Sequence, residues 1–91
     1  MRPASFTSFL TPWKLTRTEF RMMIVYRKTL SEAKTIETMF WTPRTMRDYC
    51  KRTTAKFEVD SLAAALLLFD RWCDSSPNEF EAQRQLMGIK D

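Results

Sequence analysis

The sequence predicts an α+β domain in which a small antiparallel sheet is packed by helices on one face. Short apolar or alternating runs are typical of strands, and they occur near residues 21–28, 35–41 and 56–59. Three longer segments carry helix caps and helical periodicity, and they predict helices near 43–53, 61–73 and 77–87.

An all-helical bundle, in which residues 17–41 form one or two helices, is the alternative fold. The chain has one glycine and only five Ile or Val residues, and this composition favours helices over a sheet. The spacing of Thr16 and Glu19 is that of a capping box, which taken alone predicts a helix beginning at Arg17. The two folds differ mainly in this part of the chain.

The first predicted strand contains an unbroken apolar run from Met22 to Tyr26, with basic residues on both sides. A block of five apolar residues that includes Ile24 and Val25 fits a buried strand better than one stripe of an amphipathic helix. The sequence therefore favours a strand here over the helix that the capping box indicates.

The second and third predicted strands are shorter. Residues 35–41 combine Thr, Ile and aromatic side chains, and a strand would place Ile36, Thr38 and Phe40 on one face. Residues 56–59 alternate between charged and apolar side chains. The connection over residues 30–34 lacks the Gly, Asn or Pro of a tight hairpin, which weakens the predicted pairing of the first two strands.

Local capping signals place the three predicted helices. Thr42-Pro43 is typical of an N-cap followed by proline at the first helical position. Asp60 is the predicted cap of the next helix, in which apolar residues recur at helical spacing. Ser76-Pro77 begins the last helix, and Gly88 is typical of a helix C-terminus.

A chain of 91 residues has room for one domain. We expect residues 1–15 to form an arm that docks through its aromatic side chains, and residues 16–91 to form the globular domain. The longest apolar run has eight residues, whereas a membrane-spanning helix needs roughly 20. These features predict a small soluble cytoplasmic protein with no membrane partner.

The residue types exclude most catalytic and metal chemistry. The chain has no histidine, and its two cysteines, Cys50 and Cys73, lack the spacing of a zinc site. No nucleophile and base are paired in a motif, and no glycine-rich phosphate loop is present. The sequence therefore predicts no enzyme activity, no catalytic residue, no metal and no cofactor. We expect the cysteines to be buried thiols in a reducing compartment.

Charge is distributed unevenly along the chain. Residues 1–56 contain twelve basic and four acidic residues, whereas residues 57–91 contain three basic and seven acidic residues. An asymmetric field of this kind attracts an acidic partner to the basic side of a protein. The partner classes it indicates are an acidic protein surface, a nucleoprotein complex and nucleic acid.

The helix near 43–53 offers a basic surface. Arg44, Arg47 and Lys51 recur at helical spacing along one side. The predicted basic surface also includes Arg52 and Lys56, with Tyr49 available for stacking. Three interpretations are open: a solvated helix face, a nucleic-acid site, and a site for an acidic protein.

Apolar contacts are the second kind of candidate site. Leu67 lies away from the main apolar face of its helix, so either the last helix covers it or it marks a partner or homodimer contact. Trp13 and Trp41 are either interface anchors or packing residues. Together these features predict a non-enzymatic interaction protein that binds and modulates or inhibits a larger protein or nucleoprotein complex. Regulators of phages and other mobile elements are often of this type. A nucleic-acid-binding regulator acting through residues 43–56 is the alternative.

Overall fold

Five helices follow one another along residues 13–91, the part of the chain that the computed structural model describes. They are α1 (Arg17–Thr29), α2 (Glu32–Met39), α3 (Pro43–Phe57), α4 (Leu62–Ser75) and α5 (Pro77–Leu86). No strand occurs within these residues. The predicted α+β class, with strands near 21–28, 35–41 and 56–59, is therefore wrong, and the all-helical alternative is confirmed.

α1 occupies the position of the first predicted strand, and its capping box is formed. The Thr16 hydroxyl accepts a hydrogen bond from the Glu19 amide at 3.3 Å, and the Thr16 amide donates to Glu19 Oε1 at 2.9 Å. The four consecutive residues Met22–Val25 are all buried. Since four consecutive helical residues point to nearly all sides of the helix axis, α1 is surrounded by the rest of the chain. A helix buried all round produces the same unbroken apolar run as a buried strand, which explains the error.

The second predicted strand is replaced by α2, which has its own N-cap. The Ser31 hydroxyl accepts a hydrogen bond from the Lys34 amide at 3.2 Å. Thr35, a residue type that favours strands, is fully buried in this helix, and its hydroxyl donates to the Ser31 carbonyl at 2.8 Å. Tertiary burial and local hydrogen bonding thus override the β-propensity of residues 35–41.

The third predicted strand, residues 56–59, spans the C-terminal end of α3 and the two residues that follow it. This helix begins at Pro43 behind the N-cap Thr42, as predicted, and extends to Phe57, beyond the predicted end near residue 53. α4 begins one residue later than expected, because Ser61 rather than Asp60 provides the capping side chain. α5 begins at Pro77 as predicted, although the Ser76 side chain makes no capping hydrogen bond.

Helix ends at non-glycine residues are a recurring feature. Leu30, Phe40 and Glu58 follow α1, α2 and α3 in the left-handed conformation, with φ of 54°, 58° and 59°. At Phe40 and Glu58 the hydrogen bonds are those of a Schellman motif, as they are at Gly88 after α5. A residue with a Cβ atom is strained there by about 1 kcal/mol relative to glycine.

The helices pack around one buried cluster. α1 contacts α2 and α4, and α4 also contacts α3 and α5. Six aromatic residues of the cluster contact one another, namely Trp13, Phe20, Phe57, Phe69, Trp72 and Phe80, and Tyr26, Trp41 and Tyr49 also pack against it. Of the predicted arm, residues 1–12 lie outside the described part of the chain. Trp13 stacks on Phe57 with ring centroids 4.2 Å apart, so the end of the arm is part of the core.

Two fully buried threonines provide a test of the packing in α2 and α3. Within the described residues the Thr53 hydroxyl has no hydrogen-bond partner, whereas the Thr35 hydroxyl has two nearby partners. Because an unpaired buried hydroxyl is destabilising, we expect Thr53→Val to raise the free energy of unfolding by about 1 kcal/mol. Thr35→Val is the matched control and should lower it by a similar amount. Urea denaturation followed by circular dichroism measures both, and a loss of stability in Thr53→Val would contradict this assignment.

Candidate interaction surface

Some basic residues form ion pairs with acidic residues of the described chain, and others form none. Arg21 pairs with Asp91 at 2.6 Å, and Arg27 pairs with Asp70 at 2.6 Å and with Asp74 at 3.5 Å. The hydrogen bond from Arg21 lowers the pKa of Asp91, so this carboxyl is ionised over the neutral range. Acidic residues of the C-terminal part of the chain therefore neutralise part of the positive charge of the N-terminal part.

Arg44, Arg47 and Lys51 are basic residues of α3 that remain available to a partner. All three are exposed, and none forms an ion pair with any described residue. At 3.6 residues per turn their positions fall within an arc of about 60° on α3. We call these three residues the basic strip. The structure thus places together the three residues whose spacing predicted a common face.

Lys56 does not extend the basic strip, contrary to the sequence-based expectation. Its ammonium group lies 2.6 Å from Oε1 of Glu19 and donates to the carbonyl oxygen of Lys14 at 3.1 Å. Glu19 is buried, and the same Oε1 atom accepts the capping hydrogen bond from Thr16. Lys56 therefore compensates a buried carboxylate and joins the end of α3 to the start of α1.

Arg52 lies on another side of α3, in a stack with two aromatic residues. The rings of Trp41 and Tyr49 have centroids 4.6 Å apart and planes within 5° of parallel. The guanidinium carbon of Arg52 lies 5.0 Å from the centroid of the Tyr49 ring, within the range of a cation–π interaction. We call these three residues the aromatic stack. It holds Tyr49 against the connection between α2 and α3.

Phe40 is the residue that the sequence did not identify as a candidate. Phe40 is 93% exposed, the highest value among the large hydrophobic residues of the described chain, whereas the predicted strand placed it on one face with Ile36 and Thr38. It immediately precedes Trp41 of the aromatic stack and lies four residues before Arg44 of the basic strip. A glycine after α2 would have marked the end of the helix in the sequence. Phe40 occupies that left-handed position instead, so this signal is absent from the sequence.

A groove of about 470 Å³ runs beside the basic strip. Arg47 and Lys51 line it together with the apolar Ile36 and Met46 and with Cys50. Burial raises the pKa of the Cys50 thiol to about 11, and the nearby Glu32 carboxylate contributes. The thiol is protonated at neutral pH, so it lacks the thiolate character of a reactive cysteine.

The two remaining predicted contact residues have opposite environments. Leu67 on α4 is 73% exposed, so α5 does not cover it. A shallow groove of about 340 Å³ lies at this position, lined by Val59, Ala64, Leu67, Leu68 and Arg71. Trp13, in contrast, packs in the aromatic core and makes an edge contact with Trp72 at 5.9 Å. Its described contacts are those of a packing residue.

Within residues 13–91, no group of three or more His, Cys, Asp or Glu side chains is arranged to hold a metal ion. None of the five described helices is both long and apolar enough to cross a bilayer. Both cysteines are free thiols, and Cys73 is buried. No family model matches the sequence, and no curated protein or solved structure shows significant similarity to it.

The different roles of the lysines on α3 can be measured. Lys56→Ala removes the ammonium partner of the buried Glu19 carboxylate, so we expect it to lower the free energy of unfolding by about 2 kcal/mol. Lys51→Ala removes an exposed cation without an ion pair and should change it by less than about 0.5 kcal/mol. Chemical denaturation compares the two variants, and equal effects would show that the pair with Glu19 has no structural role.

Proposed function

We propose that this protein is a non-enzymatic interaction protein that binds an acidic surface of a larger protein or nucleoprotein complex and modulates or inhibits it. The contact surface consists of Phe40, the aromatic stack and the basic strip. Two free thiols are consistent with a cytoplasmic location, because that compartment is reducing.

The observation that carries this proposal is the exposure of Phe40. An aromatic side chain that is 93% exposed loses the stabilisation that burial would give it, and the left-handed backbone adds strain. Glycine would relieve the strain, and among the described residues the ring has little contact area to lose. A large aromatic residue kept at such a position is typical of a binding anchor, which gains its burial from a partner.

The charges that follow Phe40 along α3 indicate the chemistry of the partner. Arg44 and Arg47 carry no ion pair within the described chain, and Arg52 is held by stacking on Tyr49. Unpaired cations around an apolar anchor attract a negatively charged surface and speed its encounter. The best complement is therefore an apolar pocket with an acidic rim, and the exposed ring favours a protein over a purely polar ligand.

Nucleic acid is the second candidate partner, and the spacing of the basic strip favours it. Arg44, Arg47 and Lys51 could each contact a phosphate along one helix face, and exposed aromatic rings can stack on bases. Gel-shift assays with single-stranded and duplex DNA and RNA at low salt test this candidate. Binding that weakens steeply with salt and is abolished by Arg47→Glu with Lys51→Glu would favour it. The absence of retention at low salt would exclude it.

The protein partner is tested by comparing two baits. Immobilised wild-type protein and the variant with Arg44→Glu, Arg47→Glu and Lys51→Glu are exposed to the same lysate at the same salt concentration. We expect proteins retained by the wild type to be lost from the charge-reversed bait, because repulsion replaces attraction. Retention of the same proteins by both baits would contradict the proposed surface.

Phe40→Gly then separates binding from folding for a captured partner. We expect the free energy of unfolding to rise by about 1 kcal/mol, because strain is relieved, while the affinity falls at least about tenfold. Glu58→Gly is the matched control: it relieves the same strain after α3 and should leave the affinity unchanged. Denaturation and calorimetric titration provide the two readouts, and unchanged affinity in Phe40→Gly would overturn the role of this residue as an anchor.

A further inference from the structure

The groove beside the basic strip lies where three helices meet. α2 contributes Glu32 and Ile36 to its lining, α3 contributes residues between Pro43 and Thr54, and the start of α4 forms the remaining side. Its volume of about 470 Å³ falls within the roughly 300–1,000 Å³ of ligand sites in proteins. The groove is therefore large enough to hold part of another molecule.

The base of the groove is apolar. Met46 and Leu62 are buried, and Ile36 and Cys50 are half-buried in the same lining. An aliphatic side chain that enters the groove removes apolar surface from water on both sides of the contact. An occupant that fits this base carries a large apolar side chain.

The rim of the groove carries both signs of charge. Arg47 and Lys51 on α3 line it together with Glu32, the first residue of α2, and Asp60, which precedes α4. All four residues are exposed, and none forms an ion pair with any described residue. Opposite charges thus line the same groove without pairing with each other, so each is available to an occupant.

This mixture of charges separates the candidate occupants. A phosphate group attracted by Arg47 and Lys51 would be repelled by the carboxylates of Glu32 and Asp60, and a purely basic ligand would meet the opposite conflict. A peptide segment with an acidic and a basic residue around an apolar one satisfies both charges and the apolar base. Charge complementarity therefore favours a peptide over nucleic acid in this groove.

We propose that the groove between α2, α3 and the start of α4 binds a short peptide segment with a large aliphatic side chain. An acidic residue of the segment pairs with Arg47 or Lys51, and a basic residue pairs with Glu32 or Asp60. Because Arg47 and Lys51 also belong to the basic strip, this inference rests on the proposed function and names the segment of the protein partner that the strip receives.

Alkylation of Cys50 in the base of the groove measures its occupancy. The probes are capped tripeptides with a central leucine, flanked by lysine and aspartate in either order, by two lysines or by two aspartates. We expect a mixed-charge peptide to slow the reaction of Cys50 with N-ethylmaleimide saturably and to bind at least about fivefold more tightly than either single-charge peptide. The reaction of the buried Cys73 should not change. Absence of protection by both mixed-charge peptides, or equal protection by a single-charge peptide, overturns the proposal.

Charge reversal tests where the peptide binds. Arg47→Glu with Lys51→Glu makes the rim wholly acidic, so we expect this variant to prefer the peptide with two lysines. A variant that merely fails to fold would gain no new preference. Arg44→Glu is the matched control, because Arg44 is an exposed residue of the basic strip that does not line the groove, and it should keep the wild-type preference. Any other preference in either variant overturns the assignment to this groove.

Failure of this inference can be distinguished from failure of the proposed function. If captured proteins are lost from the charge-reversed bait and no peptide protects Cys50, the proposed function stands and the groove has no part in it. If the mixed-charge peptides bind and both baits retain the same proteins, the groove is a peptide site and the proposed function is wrong.

Discussion

The burial of α1 on nearly all sides is the constraint on which the rest of the structure depends. Phe20 and the four residues Met22–Val25 are buried on nearly all sides of the middle of this helix, so other elements must enclose it. The capping box of Thr16 and Glu19 fixes where α1 begins, and Lys56 compensates the carboxylate that this arrangement buries. Because α1 supplies so much of the core, α2 and α3 can remain amphipathic helices with polar outer faces.

This enclosure also determines which charges remain available to a partner. Basic residues on or beside α1, namely Arg21, Arg27 and Lys56, contact acidic groups that packing brings to them from distant parts of the chain. The basic strip lies on the outer side of α3, beyond the reach of those acidic groups. The positive surface therefore results from the arrangement of the helices, and the formal charge of the chain alone does not describe it.

Local signals predicted the structure where the interactions that decide it are local. The caps at Thr42, Ser76 and Gly88 marked helix ends correctly, and helical spacing placed Arg44, Arg47 and Lys51 on one face. The apolar run of α1 is ambiguous without knowledge of what surrounds it, so the sequence predicted a strand. Two features could not be predicted from local patterns. The partner of Lys56 is Glu19, which is 37 residues away, and Phe40 occupies the left-handed position after α2, where the sequence gives no glycine to mark the end of the helix.

The three tryptophans lie in two different environments, so the intrinsic fluorescence of the protein has two components. Trp13 and Trp72 contact each other in the aromatic core, whereas the half-buried Trp41 is stacked on Tyr49 and follows the exposed Phe40. Intrinsic emission therefore combines a component that reports on the integrity of the core with one that reports on the corner between α2 and α3. The emission of Trp41 therefore offers a way to follow the occupancy of that corner without an attached dye.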